Sequence, residues 1–424
     1  MRNIEPALLV GGKLFAGLLA LTSYGVAQST SPTPTPHYAT LYSFGSHPHD
    51  ALSLQENVTV GSGGELYGAS YSGGASEDVG TVFALTPPAS PGGSWIETVL
   101  YRFTGPDGSY PLGTIAVGSG GVLYSTTYTG GTFVGTVFSL TPPASPGAPW
   151  TESLLHSFTG GGDGTNPQGA LAIGAGGVLY GATASGGPPC LESADGCGTV
   201  FSLTPPASPG GSWTEDVLLT FNGVTDGFRP TTGVVIGSGG VLYGTAGETV
   251  FSLTPPASPG GPWTEAVLYT FTGSPDGDGP NGVVIGSGGV LYGVTESGGP
   301  RDKGTVFSLT PPASAGAPWT KTLLHTFGAS GGNRPMGPVA FASNTGVLYG
   351  AAYEGGTYGG GVLFAIAPPA SPGASWIYTQ LRNFGGGTDG KLPIAGVVIG
   401  NGALYGTTIS GGTHDDGTVF SVTP

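Results

Sequence analysis

The chain has 424 residues, of which only 8% are charged, with 10 Lys and Arg against 25 Asp and Glu for a net charge of −15. Cations this few, scattered singly, exclude the basic surface that a nucleic-acid partner needs in order to displace counterions. Gly (84) and Pro (38) make up over a quarter of the residues, a level that signals disorder when it has no period, but here both recur at fixed offsets and mark turns.

Residues 1–27 carry Arg2 and Lys13 ahead of an apolar run that starts at Leu14 and ends in Gly25-Val26-Ala27. This is the pattern of a secretory signal peptide with a small-residue cleavage site before Gln28. Polar Thr22 and Ser23 interrupt the run, which is short for a membrane span, so no span is expected in the mature chain. Residues 28–36 alternate Ser or Thr with Pro and read as a stiff, extended linker. The remainder, 37–424, is expected to be one domain, secreted or held in the periplasm or cell envelope, and monomeric.

His37-Tyr38-Ala39-Thr40-Leu41-Tyr42-Ser43-Phe44 is the first strand signal and has no partner nearby. Beyond it the motif Leu-Tyr-Gly (Leu-Tyr-Ser in the second copy), then a Gly-rich loop, then Thr-Val-Phe or a close variant occurs seven times. Its tyrosines are Tyr67, Tyr124, Tyr180, Tyr243, Tyr292, Tyr349 and Tyr405, 49 to 63 residues apart, the period of a propeller blade rather than of a helical solenoid. The second copy shows the parts. Gly113–Val117, Val122–Thr127, Thr136–Thr141 and Trp150–Phe158 are rich in Val, Leu, Tyr, Phe and Thr and bounded by Gly or Pro, as strands joined by tight turns are. In Thr136-Val137-Phe138-Ser139-Leu140-Thr141 apolar and polar residues alternate, which predicts a strand with two unlike faces.

Six copies end in an outer strand marked by Trp and, eight residues on, Phe: Trp95/Phe103, Trp150/Phe158, Trp213/Phe221, Trp263/Phe271, Trp319/Phe327 and Trp376/Phe384. The seventh stops at Thr418–Pro424, after its third strand. Its missing fourth strand is the orphan at the front, whose Leu41-Tyr42-Ser43-Phe44 repeats Leu100-Tyr101-Arg102-Phe103. The expected fold is therefore all-β: a seven-bladed β-propeller of four-stranded antiparallel blades, with residues 37–44 completing blade 7 and closing the ring. Aromatic residues at fixed positions are expected to pack blade against blade.

The copies differ unequally. From the third-strand Phe to the Trp is always 12 residues, whereas Tyr243 to Phe251 is eight and Tyr180 to Phe201 is 21. In a meander the loop between second and third strands emerges beside the blade-to-blade connection, so the variable segments share a face, which is where binding surfaces are diversified. The connection carries Asp-Gly-x-x-Pro at Asp107, Asp163, Asp226, Asp276 and Asp389, with Asp50 and Gly331 in the corresponding places. Asp before Gly usually bonds its own backbone in a turn, and a ring of carboxylates could alternatively gather calcium. Cys190 and Cys197, seven apart in one loop of an exported protein, are expected to form a local disulfide.

If the first strand closes blade 7, the loop His47-Pro48-His49-Asp50 comes near His414-Asp415-Asp416. These side chains could ligate a divalent metal or supply acid and base groups. No phosphate loop or nucleophile elbow is present, and no cofactor is expected.

The repeat, as in Gly239-Gly240-Val241-Leu242-Tyr243-Gly244-Thr245 and Gly304-Thr305-Val306-Phe307-Ser308-Leu309, resembles the GloVer tandem repeat of exported bacterial proteins. The resemblance implies a propeller without an assigned activity. The expected function is a binding or interaction scaffold for a glycan, a peptide or an envelope protein. The alternative is a propeller lyase or hydrolase with a His/Asp site on the variable-loop face.

Overall fold

A computed structural model of the protein describes residues 36–46, 50–74, 78–90, 92–132, 134–145, 147–208, 210–258, 260–314, 316–371 and 373–424. The expected signal peptide and nearly all of the linker lie outside these residues. Seven four-stranded antiparallel sheets follow one another: blade 1 within 59–102, blade 2 within 116–157, blade 3 within 165–220, blade 4 within 234–270, blade 5 within 278–326, blade 6 within 340–383, and blade 7. In blade 7 the strands Val398–Gly400, Ala403–Thr408 and Thr418–Thr423 are joined by His37–Ser43 as the outer strand.

The N-terminal strand behaves as a full blade member. It pairs antiparallel with Thr418–Thr423, from His37 opposite Thr423 to Ser43 opposite Thr418, and carries a bulge between Thr40 and Tyr42. Every other outer strand has a register shift at the equivalent place, as between Val82 and Phe83 or Val250 and Phe251 on the third strand. Ring closure therefore reuses the local geometry of the repeat and covers the edge that Thr418–Thr423 would otherwise leave open.

Blade packs on blade through phenylalanine. The Phe that ends each outer strand meets the third-strand Phe of the next blade: Phe103 meets Phe138, Phe158 meets Phe201, and at the closing seam Phe44 meets Phe83. All seven pairs have centroids 4.8 to 5.2 Å apart, most of them edge to face, the arrangement that ring quadrupoles favour. At one end of five seams the Tyr of Leu-Tyr-Gly or Leu-Tyr-Ser meets the next blade's Trp at 6.0 to 6.2 Å.

The third strand departs from the sequence expectation. Thr136 to Leu140 are all buried, so its alternation does not separate core from water. Val137 packs into the cluster of the following seam and Phe138 into that of the preceding one. Each sheet is covered on both sides by neighbouring blades, and alternation here chooses a neighbour.

Candidate functional site

The connection Asp-Gly-x-x-Pro and the loop between second and third strands lie together. Ser109 N–H donates to Thr129 O at 2.8 Å and Thr129 N–H returns a bond to Ser109 O at 3.1 Å. The Gly-rich turn between first and second strands packs instead by the Pro-rich turn, so that a Cβ added at Gly240 would sit 3.7 Å from Pro255. The constant turns thus share one face and the variable loops the other.

On the variable face one residue per blade, just ahead of the Pro position, adopts a left-handed backbone. These are Tyr110, Asn166, Arg229, Arg334 and Leu392 at φ +50° to +60°, Ser53 at +56°, and Gly279 at +63°. This conformation lets the N–H turn back to the preceding blade, as in Tyr110 N to Val79 O and Leu392 N to Gly360 O, both 2.7 Å. A constant backbone here presents five kinds of side chain, and none at Gly279. Tyr110 stacks on Tyr71 at 4.6 Å. Arg334 bridges Glu296 at 2.5 Å and Glu354 at 3.3 Å, which holds its guanidinium above the usual range.

The Asp-Gly carboxylates serve their turns. Asp107 accepts from Thr104 N at 2.9 Å, Asp163 from Thr159 N at 2.8 Å, and Asp226 from Asn222 N at 3.0 Å. Cys190 and Cys197 are joined in a disulfide, with Cα atoms 5.9 Å apart. Of the proposed His/Asp group, His47 and His49 lie outside the described residues. The rest are divided. A Cβ at Gly45 would come within 3.0 Å of His414 Cβ, so the two loops do approach. Asp50, however, is buried and accepts from Gly45 N at 2.9 Å and Ser46 N at 3.2 Å. Asp415 accepts from Gly411 N at 2.8 Å and meets Lys391 at 3.3 Å, and His414 Nδ1 meets its neighbour Thr413. Among the described residues no group of three or more His, Cys, Asp or Glu is gathered closely enough to hold a metal.

The seven inner strands enclose a central cavity of about 680 Å³. Its wall is mostly aliphatic, with Val235, Val283, Ile394 and Met336 among its residues, and the amides Gln55, Gln168 and Asn281 interrupt it. Among the described residues Phe341 is its one aromatic ring, and no Asp lines it. Glu56 is the deepest charged group there. Blade 2 supplies a bond from Thr114 Oγ1 to Glu56 Oε2 at 2.7 Å, and blade 7 one from Thr407 Oγ1 to the Glu56 carbonyl at 2.9 Å. Burial of the carboxyl within the ring pushes its pKa up to about 7, against the lowering effect of the Thr114 bond.

Sequence reading missed Glu56, yet a signal was available. It stands five residues before Gly61, and the same offset in the other blades gives Gly113, Gly169, Thr232, Asn281, Gly337 and Ala395. At this position the inner strands approach closely: a Cβ at Gly113 would lie 3.0 Å from Gly169 O. Blade 1 alone places a carboxylate in the gap.

A family model described as the Gloeobacter/Verrucomicrobia repeat matches residues 20–249 and 246–424. No curated protein matches the chain. Among solved structures it is similar to the periplasmic gluconolactonase PpgL of Pseudomonas aeruginosa, at 16% identity and a TM-score of 0.50, over 87% of this chain and 95% of that one. It is also similar to the extracellular domain of the putative one component system BT4673 from B. thetaiotaomicron, at 11% identity and a TM-score of 0.50. That alignment covers 90% of this chain, which spans 39% of the other. These likenesses concern the fold. Among the described residues no helix is long and apolar enough to cross a membrane.

Proposed function

Because the chain belongs to the Gloeobacter/Verrucomicrobia repeat family, in which one scaffold is copied and the copies diverge, we propose that it is an exported binding module whose central cavity takes a short peptide, with Glu56 as the polar anchor. The observation that carries this is the Glu56 carboxyl, bonded by Thr114 of blade 2 while Thr407 of blade 7 holds its main-chain carbonyl, in a largely apolar cavity of about 680 Å³. Ligand sites have this character: mostly apolar walls, a few convergent polar groups, and a titratable residue with a displaced pKa. Amides at Gln55, Gln168 and Asn281 suit the main chain of a peptide. A glycan site would favour several rings for stacking, and only Phe341 lines the wall. The Cys190–Cys197 disulfide supports an oxidising compartment, as do neighbours described as extracellular and periplasmic.

A peptide ammonium needs Glu56 ionised, and its pKa of about 7 makes affinity pH-dependent. Screening short peptides beside a glycan array, then titrating the hits calorimetrically, tests the reading. Affinity for an amine-bearing peptide should strengthen from pH 6 to pH 8. Glu56→Gln should weaken binding by about 10- to 100-fold, the range of a lost charged hydrogen bond, and flatten the pH profile. Hits that are indifferent to Glu56→Gln would refute it. The same raised pKa favours a second reading, Glu56 as a general acid or base in a lyase or hydrolase. Product release lost in Glu56→Gln while the substrate still binds would identify that case.

A further inference from the structure

Each seam between blades brings together two repeat positions that are distant in the chain: the Asp of the Asp-Gly turn and the residue two places after Trp in the next outer strand. In four seams that second residue is Glu. The pairs are Asp50 with Glu97, Asp107 with Glu152, Asp163 with Glu215, and Asp226 with Glu265, in each of which the two carboxyls interact. One oxygen of every such glutamate, Oε1, is buried without a partner in the protein. At the closing seam Asp50 is itself only 4% exposed, its Oδ1 is likewise unpartnered, and Glu97 lies within hydrogen-bonding reach of it. Two ionised carboxylates cannot bond each other, so such a pair needs either a shared proton or a cation between its oxygens.

The other three seams show what that is. In the fifth, Lys321 replaces Glu and its Nζ sits 2.6 Å from Asp276 Oδ1 and 2.5 Å from the Asp276 carbonyl. In the sixth, with Gly331 in place of Asp, Tyr378 Oη donates to the Gly331 carbonyl at 2.5 Å. In the seventh, Arg382 Nη2 meets Asp389 Oδ2 at 2.6 Å and its guanidinium lies 4.3 Å from the Tyr38 ring centre. Where the chain supplies a Lys or Arg to the Asp, the paired glutamate is absent. Where the glutamate is present, no Lys or Arg ion pair accompanies it among the described residues, and the third seam adds only His156, whose Nε2 lies 3.6 Å from Asp163 Oδ2.

We propose that the four Glu/Asp seams bind hard divalent cations of the calcium class, one between each carboxylate pair, in the position that the Lys321 ammonium fills at the fifth seam. Two carboxylates and the main-chain carbonyl of the Asp supply oxygen ligands, with a tyrosine hydroxyl near the first two (Tyr42 and Tyr101). Water completes the shell, as hard cations in extracellular modules accept. The cation then ties one blade to the next, and at Asp50/Glu97 it fastens the ring where its two ends meet.

Equilibrium dialysis of the full chain against radiolabelled calcium chloride at about 1 mM, the range of extracellular calcium modules, should show up to four ions bound. The melting temperature should exceed that in chelator by about 3–5 °C. Glu215→Lys copies the fifth seam: it should bind one ion fewer and melt in chelator no lower than the parent. Lys321→Glu should bind one ion more. Should Glu215→Lys fail to fold, Glu215→Gln reads the same loss of one ion. No calcium retained by the parent, with stability that responds to acid but not to calcium, would overturn the proposal and assign protons to the carboxylate pairs.

Discussion

The glycine of Leu-Tyr-Gly is set by space rather than by backbone freedom. A Cβ at Gly244 would fall 2.6 Å from Phe251 Cζ, and at Gly350 2.5 Å from Phe364 Cζ, in strands whose backbone is ordinary. The missing side chain is what lets the third-strand Phe lie across the sheet and reach its partner in the seam. Blade 2 tests the rule within the same molecule: it carries Ser125, whose hydroxyl donates to Gly113 O at 2.7 Å. Gly244→Ser should therefore cost less than Gly244→Val, which forces a branched side chain onto Phe251 and should destabilise by about 1–3 kcal/mol or more. Urea denaturation of both variants measures the order, and equal losses would contradict it. Gly80 illustrates the other kind of requirement. Its φ is +100°, and a Cβ would meet Pro111 of the next blade at 2.5 Å, so both strain and space exclude a side chain there.

At the scale of the element, the decisive piece is the strand His37–Ser43. Its sequence gives it away, because Leu41 and Phe44 reproduce the ending of all six complete outer strands and Tyr42 that of two. Phe44 is fully buried and packs on Phe83 at 5.2 Å, the same distance and tilt class as Phe221 on Phe251 at an interior seam. Phe44→Ala and Phe221→Ala should then each cost about 3–5 kcal/mol, and deleting residues 37–44 should cost more, since the edge of Thr418–Thr423 is also exposed. Thermal and chemical melts check this, and a Phe44→Ala penalty far below that of Phe221→Ala would show that the join is peripheral. The fold was legible because packing repeats, and repetition writes the same residues at the same offsets. The sites were less so. Glu56 is one residue in an inner strand with no motif around it, recognisable only against the Gly and small polar residues at its offset in other blades. The Asp/Glu seams join positions 39 to 52 residues apart, and only the closed ring shows that they touch. Within the His/Asp grouping, Asp50 is held by its local turn and by the seam with Glu97, and only the seam is not written locally.

The whole molecule carries its net charge of −15 with several carboxyls held out of water, and this sets how stability follows pH. Burial pushes Glu97 to about 8, with Asp50 beside it adding to the shift, and Glu56 to about 7. Burial likewise takes Glu215 and Glu248 to about 7 and Glu152 to about 6. An acid whose folded pKa lies above its unfolded value binds its proton more tightly when folded. Its contribution is greatest below the unfolded value near 4.5 and is lost as pH rises through the folded one. Two histidines pull the other way. Burial lowers His325 to about 4 and also lowers His156, so they cost stability as pH falls below about 6.5. Between pH 6 and pH 8 the carboxyls dominate, because five of them lose protons from the fold across that window, whereas only two histidines oppose them, their protons leaving the unfolded chain around pH 6.5. In chelator, the melting temperature should therefore be higher near pH 6 than near pH 8, and a profile that is flat or rises across the window would contradict these burial effects. Calcium should narrow the difference by restoring stability mainly at pH 8, since a cation shared by Asp50 and Glu97 replaces the proton that they lose. Glu56 and Glu248, which belong to none of the four seams, should leave a residual slope that calcium does not remove, and Glu56→Gln should remove the Glu56 share of it.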